Sequence, residues 1–152
     1  MFRKLILALA LAACAAMLAP AEEITPADAQ YYADYADAAK KAGKQLERLG
    51  DLFAKASSGK SYKAECEDRA ADLSDVYHSL EEMVPAADNI AAHKDLMASA
   101  EAGSQAALEL ASYFKDEFAH KEKMDRAMGF YETAVGKYDT AMATAKPVGD
   151  GE

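Results

Sequence analysis

His93 and Met97 are the two side chains whose types and spacing are best suited to chemistry. They lie one helical turn apart, which places them on the same side of a helix, and Met83 lies nearby across a predicted corner. A neutral imidazole and thioethers are soft ligands that suit Cu(I). Met124 and Met128 form a second methionine pair at helical spacing. His93 and Met97 are therefore a candidate soft-metal site, as the alternative to the favoured interpretation of a hydrogen-bonded histidine and methionines that fill the core.

Two other histidines have the spacing that di-iron helical bundles use for a carboxylate and a histidine. Glu117 precedes His120 by three residues, and Asp75 precedes His78 by three residues. A di-iron site requires that all of its ligands point into the bundle. Neither histidine is in phase with the apolar residues around it, so we do not predict a di-iron centre.

The motifs of the common catalytic classes are missing from the sequence. There is no nucleophile-elbow serine, no glycine-rich phosphate loop, and no His-Glu-x-x-His or Cys-x-x-Cys spacing. Covalent haem would need Cys-x-x-Cys-His, and a b-type bundle cytochrome would need a methionine on the first mature helix and a histidine on the last. None of these is present. We therefore expect a protein that is not an enzyme and that has no cofactor.

Residues 1–21 have the pattern of a removable export signal. Arg3 and Lys4 give a positive start, and the apolar run that follows, 5–18, is too short to span a bilayer. Small residues at 19–21 then provide a cleavage site for a signal peptidase. The sequence predicts release into the periplasm or the extracellular space.

A second interpretation of the same segment is a lipid anchor. Leu11-Ala12-Ala13-Cys14 resembles a lipobox, the motif at which bacterial lipoproteins are cut and acylated on the cysteine. The signal would then be unusually short, and the chain stays apolar through Leu18 where a polar tether is usual. Anchoring at the membrane surface through Cys14 is therefore the alternative to secretion.

The charge balance limits the classes of partner. The chain has 26 acidic and 17 basic residues, and its formal net charge is −9. Nucleic acid is a poor partner for such a chain, because phosphate binding needs clustered lysine and arginine. An anionic membrane surface is equally unfavourable for the body of the protein. The acidity suits solubility, and it permits basic partners or loosely held cations. Cleavage at 21 leaves Cys66 as the single cysteine, which is either a small buried residue or part of an intermolecular disulfide.

The stretch 62–84 has the clearest helical pattern. Its apolar residues alternate at spacings of four and three, so that they form one stripe on an α-helix. They are Cys66, Ala70, Leu73, Tyr77, Leu80 and Val84. Charged residues cover the rest of the helix, and partner helices must therefore cover the stripe. Ser61 would cap this helix and Pro85 would end it.

Three further stripes predict the partner helices. The first helix begins at Pro26 with Thr25 as its N-cap, and Gly59 takes the left-handed conformation beyond its end. Its stripe is Tyr31, Tyr35, Ala38, Ala42, Gln45, Leu49, Leu52 and Ala56, widened by Leu46 and Phe53. The third helix, capped by Asp88, carries His93, Leu96, Ala100, Gly103, Ala107, Leu110, Phe114 and Phe118. The fourth carries Met124, Met128, Tyr131, Val135, Tyr138 and Met142 and ends at Lys146.

The boundary between the third and fourth helices has two interpretations. No glycine or proline occurs in 119–123, yet the apolar face shifts by roughly a quarter turn there when indexed at 100° per residue. A turn predicts four helices, whereas a kink in one long helix predicts three. We predict the turn, and hence an all-α antiparallel bundle of four long helices over 22–146, with a signal peptide at 1–21 and a flexible tail at 147–152.

These features predict an exported, acidic, non-catalytic helical bundle in the cell envelope. It would present a rigid acidic helical surface, or a groove lined by tyrosines, to a protein partner. The alternative function is a copper-binding bundle that uses His93 and Met97. We predict no membrane span in the mature chain.

The mature N-terminus is the first testable prediction. We expect the exported product to begin at Glu22, because the small residues at 19–21 are those that a signal peptidase recognises. Intact-mass spectrometry of the native product measures this directly. A diacyl or triacyl adduct on Cys14 would replace secretion with anchoring, and a product that keeps residues 1–21 would contradict export.

Overall fold

A computed structural model describes residues 25–146, which fold into four packed α-helices. The helices are α1 (Pro26–Lys55, extended by a 3₁₀ turn at Ala56–Ser58), α2 (Lys63–Glu81), α3 (Ile90–Lys115) and α4 (Lys121–Thr144). Between residues 25 and 146 there is no β-strand. The predicted all-α bundle of four helices is confirmed.

Several predictions concern the ends of the chain. The signal peptide at 1–21, the lipidation site at Cys14 and the tail at 147–152 lie outside the described residues. Within 25–146, no helix combines the length and the apolar character that are needed to cross a bilayer.

Both ends of α1 form as the sequence predicts. Thr25 Oγ1 accepts a hydrogen bond from the Asp28 backbone N–H at 3.1 Å, and an Asp28 carboxylate oxygen accepts one from the Thr25 N–H at 3.3 Å. This reciprocal capping box satisfies donors that the first turn leaves free, and Pro26 occupies the position where its missing N–H costs nothing. After the 3₁₀ turn, Gly59 has a φ of +73°, which suits glycine.

The predicted N-caps of α2 and α3 are wrong. The N-cap positions are Tyr62 and Asn89, and neither forms a side-chain cap hydrogen bond, so Ser61 does not cap α2. The Asp88 carboxylate instead accepts a hydrogen bond from the Tyr32 hydroxyl of α1 at 2.6 Å. Asp88 thus bonds a side chain of α1 and not the backbone N–H groups of α3 that an N-cap would bond.

The end of α2 also differs from the prediction. The helix stops at Glu81, four residues before Pro85, and the chain then continues as irregular structure. Val84 therefore lies beyond the helix and is 87% exposed, so it does not belong to the buried stripe. Val76, which the predicted stripe omits, is buried instead.

A turn separates α3 from α4 as predicted, but it spans 116–120 rather than 119–123. The Phe118 N–H donates to the Tyr113 carbonyl at 3.2 Å, the long bond of a Schellman-type helix end. Glu117 and Phe118 have φ values of 51° and 66°, a region that glycine usually occupies. The Phe118 ring packs edge-on against Tyr113 and Phe114, and this burial offsets the backbone cost.

α3 and α4 pack antiparallel along a seam of small residues. Ser99 Oγ of α3 donates to the Ala134 backbone carbonyl of α4 at 2.7 Å, and both residues are fully buried. A serine can reach a neighbouring backbone in this way only where two helices are close together. Further small buried residues continue the seam at intervals of seven: Ala92 and Ala106 in α3, Ala127 and Ala141 in α4.

This close seam displaces the predicted stripe of α4. The fully buried residues of α4 are Ala127, Ala134 and Ala141, whereas the predicted Met128 and Met142 are 37% and 36% exposed. The other residues of the predicted stripe are half-buried: Met124, Tyr131, Val135 and Tyr138. Only small side chains fit between closely spaced helices, so the larger ones flank the contact.

α1 packs less closely against α4, because two tyrosines separate them. A Cβ added at Gly43 would lie 2.5 Å from the Tyr138 hydroxyl, and a Cβ added at Gly50 would lie 2.5 Å from the Tyr131 hydroxyl. The two contacts show that α1 and α4 are antiparallel. They also place phenol groups between the two backbones, which leaves space along this seam.

The core centre lies where α1 and α2 meet α3. A Cβ at Gly103 of α3 would lie 2.9 Å from Leu46 of α1 and 3.0 Å from Leu73 of α2. The apolar residues predicted for the α1 stripe are all buried, and Gln45 is half-buried. α3 is buried on two faces, since its seam with α4 adds to the predicted stripe.

Enlarging one seam residue tests the close packing of α3 and α4. We expect Ala134→Leu to lower the free energy of unfolding by about 1–3 kcal/mol, because the added methyl groups have no space at a fully buried contact. Ala143→Leu on the exposed face of α4 is the matched control and should change it by less than about 0.5 kcal/mol. Urea unfolding followed by circular dichroism measures both, and equal losses would contradict the close seam.

Candidate functional site

A groove runs between α1 and α4, in the space that the tyrosines leave. Its lining is Tyr32, Tyr35, Ala36, Ala39, Lys40, Tyr138, Met142, Ala145 and Lys146, which we call the tyrosine groove. Its volume is about 530 Å³, within the range of ligand-binding clefts. The α1 wall, 32–40, is about 12 Å long at 1.5 Å per residue.

The lining of the tyrosine groove differs in charge from the rest of the protein. Its described residues include two lysines and no carboxylate, although the chain as a whole is strongly acidic. Lys40 is exposed. Lys146 Nζ lies 3.7 Å from the Asp88 carboxylate, and the two side chains are 63% and 43% exposed, so this ion pair is weak.

Tyr35 forms part of the groove wall and has an unusual hydroxyl. The residue is 4% exposed, and its hydroxyl is buried without a hydrogen-bond partner among the described residues. Burial raises the pKa of this phenol, so it stays protonated. The ring stacks on His93 of α3, with centroids 6.2 Å apart. A buried hydroxyl without a partner costs stability, typically about 1–3 kcal/mol.

A buried hydrogen-bond network holds the end of the bundle next to the groove. The fully buried Asn89 donates through Nδ2 to the Tyr31 hydroxyl at 3.0 Å, and this hydroxyl lies 3.3 Å from His93 Nδ1. Asn89 Oδ1 accepts from the backbone N–H of Lys146 at 3.3 Å. The network therefore connects the start of α1, the loop before α3, α3 itself and the chain after α4.

His93 is a neutral member of this network. Burial lowers its pKa, and a hydrogen bond with the Leu80 backbone offsets part of that effect. Since the Tyr31 hydroxyl already accepts from Asn89, its own proton is available for the neutral Nδ1 of His93. The imidazole thus contacts hydrogen-bonding groups of both α1 and α2.

The predicted copper ligands lie in the same core cluster. His93 is buried, while Met97 and Met83 are half-buried and pack against that cluster. A metal ion at Nδ1 of His93 would have to displace the Tyr31 hydroxyl. Within residues 25–146, no three histidine, cysteine or acidic side chains are grouped closely enough to hold a metal ion. Copper binding by His93 and Met97 stays a prediction.

The remaining histidines are at the surface. His78 is 65% exposed and lies 3.4 Å from Glu81, and His120 is 53% exposed and lies 3.0 Å from Glu122. Each thus contacts a glutamate close to it in sequence. Cys66, by contrast, is fully buried, and burial raises the pKa of its thiol to about 12. An intermolecular disulfide would require that α2 unpack, so this geometry favours the interpretation of Cys66 as a small core residue.

Acidic side chains line a second groove on the other side of α1, facing α2. A groove of about 650 Å³ there is lined by the carboxylates of Asp34, Asp37, Asp72, Asp75 and Glu82. Lys41 lies 3.7 Å from Asp37, and Arg69 lies 3.4 Å from Asp72, which neutralises part of the charge. These carboxylates have the character of a solvated surface.

Most of the groove has no signal in the sequence. Lys146 marked only the end of the fourth helix, and no pattern pointed to Lys40, Ala36 or Asn89. The one useful indication was the set of tyrosines on the stripes. The groove depends on the distance between α1 and α4, and no local pattern encodes that distance.

Comparisons with protein-family models, with curated proteins and with solved structures found no match to this chain. The function must therefore be argued from the chemistry of the described residues.

The hydroxyls of Tyr35 and Tyr31 give a matched pair of substitutions. We expect Tyr35→Phe to raise the free energy of unfolding, by up to about 1 kcal/mol, because it removes a buried hydroxyl that has no partner. Tyr31→Phe should lower it by about 1–3 kcal/mol, since Asn89 and His93 lose their shared partner. Thermal unfolding of both variants is the measurement, and a Tyr35→Phe loss as large as the Tyr31→Phe loss would contradict this assignment.

Proposed function

We propose that the protein is an exported, non-catalytic binding module of the cell envelope, and that its tyrosine groove binds a short helix of a partner protein. The export segment at 1–21 supports the location. The observation that carries the binding site is the groove lining, which among residues 25–146 has two lysines and no carboxylate.

The shape of the groove suits a helix. Small residues on both walls, Ala36 and Ala39 on one side and Ala145 on the other, would let a helix approach to the usual spacing of about 8–10 Å. A wall about 12 Å long accommodates two helical turns, which is the span of anchors at i, i+3, i+4 and i+7. Tyrosine and methionine, both present in the lining, are enriched at protein interfaces.

The groove is held in shape without a ligand. Tyr32 donates to Asp88 at 2.6 Å, and Lys146 is fixed through its backbone bond to Asn89. These bonds position both walls through groups outside the groove. Binding to a preformed site avoids part of the ordering cost of association, so even a short segment can bind usefully.

The raised pKa values of the groove tyrosines argue against their action as general bases. The hydrogen bond with Asp88 raises the pKa of Tyr32 to about 12, and burial raises the pKa values of Tyr35 and Tyr138. A general base works best with a pKa near the working pH. These phenols stay protonated near neutral pH, where they can pack and donate hydrogen bonds.

Site-specific photocrosslinking tests the proposal. A benzoylphenylalanine at position 36 should crosslink to a discrete envelope protein in intact cells, because Ala36 lines the groove. The same probe at Ala54, exposed on α1 and about 27 Å along the helix from Ala36, is the control. The crosslinked protein is identified by mass spectrometry, purified, and titrated against the wild-type protein and Ala36→Trp by calorimetry.

We expect Ala36→Trp to weaken binding at least tenfold, since the indole would fill the groove, and Ala54→Trp to have no effect. Ala36→Trp should fold normally, because Ala36 is exposed in the free protein. Equal crosslinking at both positions, or equal affinity of the two tryptophan variants, would overturn the groove as the binding site.

A further inference from the structure

We infer that the helix bound in the tyrosine groove is acidic, with carboxylates that pair with Lys40 and Lys146. This inference rests on the proposed function and adds the charge of the partner. The two lysines come from opposite walls, Lys40 from α1 and Lys146 from the chain just after α4. An occupant of the groove would therefore have an ammonium group on each side.

The alternatives are less favourable for electrostatic reasons. A basic helix would bring like charges against both lysines. A neutral helix would displace water from Lys40 without giving it an acidic partner, and would leave Lys146 with the weak Asp88 pair. The only acidic contact of Lys146 that the described residues provide is the exposed Asp88 at 3.7 Å, which a better-placed carboxylate can replace. An acidic helix satisfies both lysines.

The overall negative charge of the protein does not prevent this pairing. A net charge of −9 repels an acidic partner at a distance. At physiological ionic strength, however, exposed charges more than about 8 Å apart are largely screened. Ion pairs at about 4 Å keep most of their attraction, so Lys40 and Lys146 determine which charge is preferred once a helix lies in the groove.

The positions of the lysines suggest the spacing of the carboxylates. The contact of Gly43 with Tyr138 and the antiparallel direction of the helices place Lys40 near the level of Ala141. Lys146 lies five residues further along: the helix covers three of them, about 4.5 Å at 1.5 Å per residue, and the last two follow its end. Two acidic residues at i and i+4 on a bound helix are about 6 Å apart along its axis, which is close to this offset.

Three stapled helical peptides serve as probes. Each has about 14 residues with leucine anchors at i, i+3, i+4 and i+7, and stapling maintains a helix that would otherwise be marginal in water. They differ only at one flanking i and i+4 pair, which is Glu, Gln or Lys. We expect fluorescence anisotropy to show that the Glu peptide binds about fivefold more tightly than the Gln peptide, with the Lys peptide weakest.

A charge swap gives the decisive variant. The double variant Lys40→Glu/Lys146→Glu should bind the Lys peptide more tightly than the Glu peptide, and this gain of binding cannot result from a folding defect. Lys44→Glu, on the exposed surface of α1 outside the groove, is the control and should keep the wild-type order of affinities.

The peptide results distinguish the charge of the bound helix from the location of the binding site. Equal binding of the three peptides to the wild-type protein, or an unchanged order in the double variant, would overturn the acidic partner and leave the groove as a helix-binding site. A lack of binding by all three peptides at high micromolar concentration would overturn the groove itself.

Discussion

The close approach of α3 and α4 is the constraint on which the rest of the structure depends. The hydroxyl of Ser99 reaches the backbone of Ala134 directly, and alanines continue the contact on either side. Closely packed small residues gain many dispersion contacts and leave no space for a larger side chain. The methionines and tyrosines of α4 are consequently placed beside the seam, where they are only partly buried.

The looser packing of α1 follows from those displaced side chains. Tyr131 and Tyr138 project towards α1, and it can accept them only where Gly50 and Gly43 remove the Cβ. Two phenol groups then lie between backbones that would otherwise meet. Because these large side chains keep the α1 and α4 backbones apart, a groove remains between the two helices. The candidate binding site is therefore a consequence of how the bundle packs.

The hydrogen-bond network beside the groove fixes the start of α1, the loop before α3 and the chain after α4 relative to one another. Asn89 and His93 are buried polar residues, and each has hydrogen-bond partners on other segments of the chain. Such satisfied networks add little net energy but specify one arrangement, because a broken member would leave a buried group without a partner. Tyr35 is the exception in this region. It lies in the groove wall, where an occupant would change its surroundings.

The sequence by itself determined the helical class, the number of helices and most of the core. Periodic apolar residues such as Leu73 and Leu80 must be covered whatever the details, and local chemistry at Thr25 and Gly59 fixed both ends of α1. Only the tertiary structure decided which residues of α4 are buried, why Asp88 bonds Tyr32, and that Lys40 and Lys146 border one groove. The physical reason is that these features depend on the distance between helices. The periodicity of one helix indicates which of its sides is apolar. The spacing between two helices depends on the side chains of both, so neither segment alone predicts it.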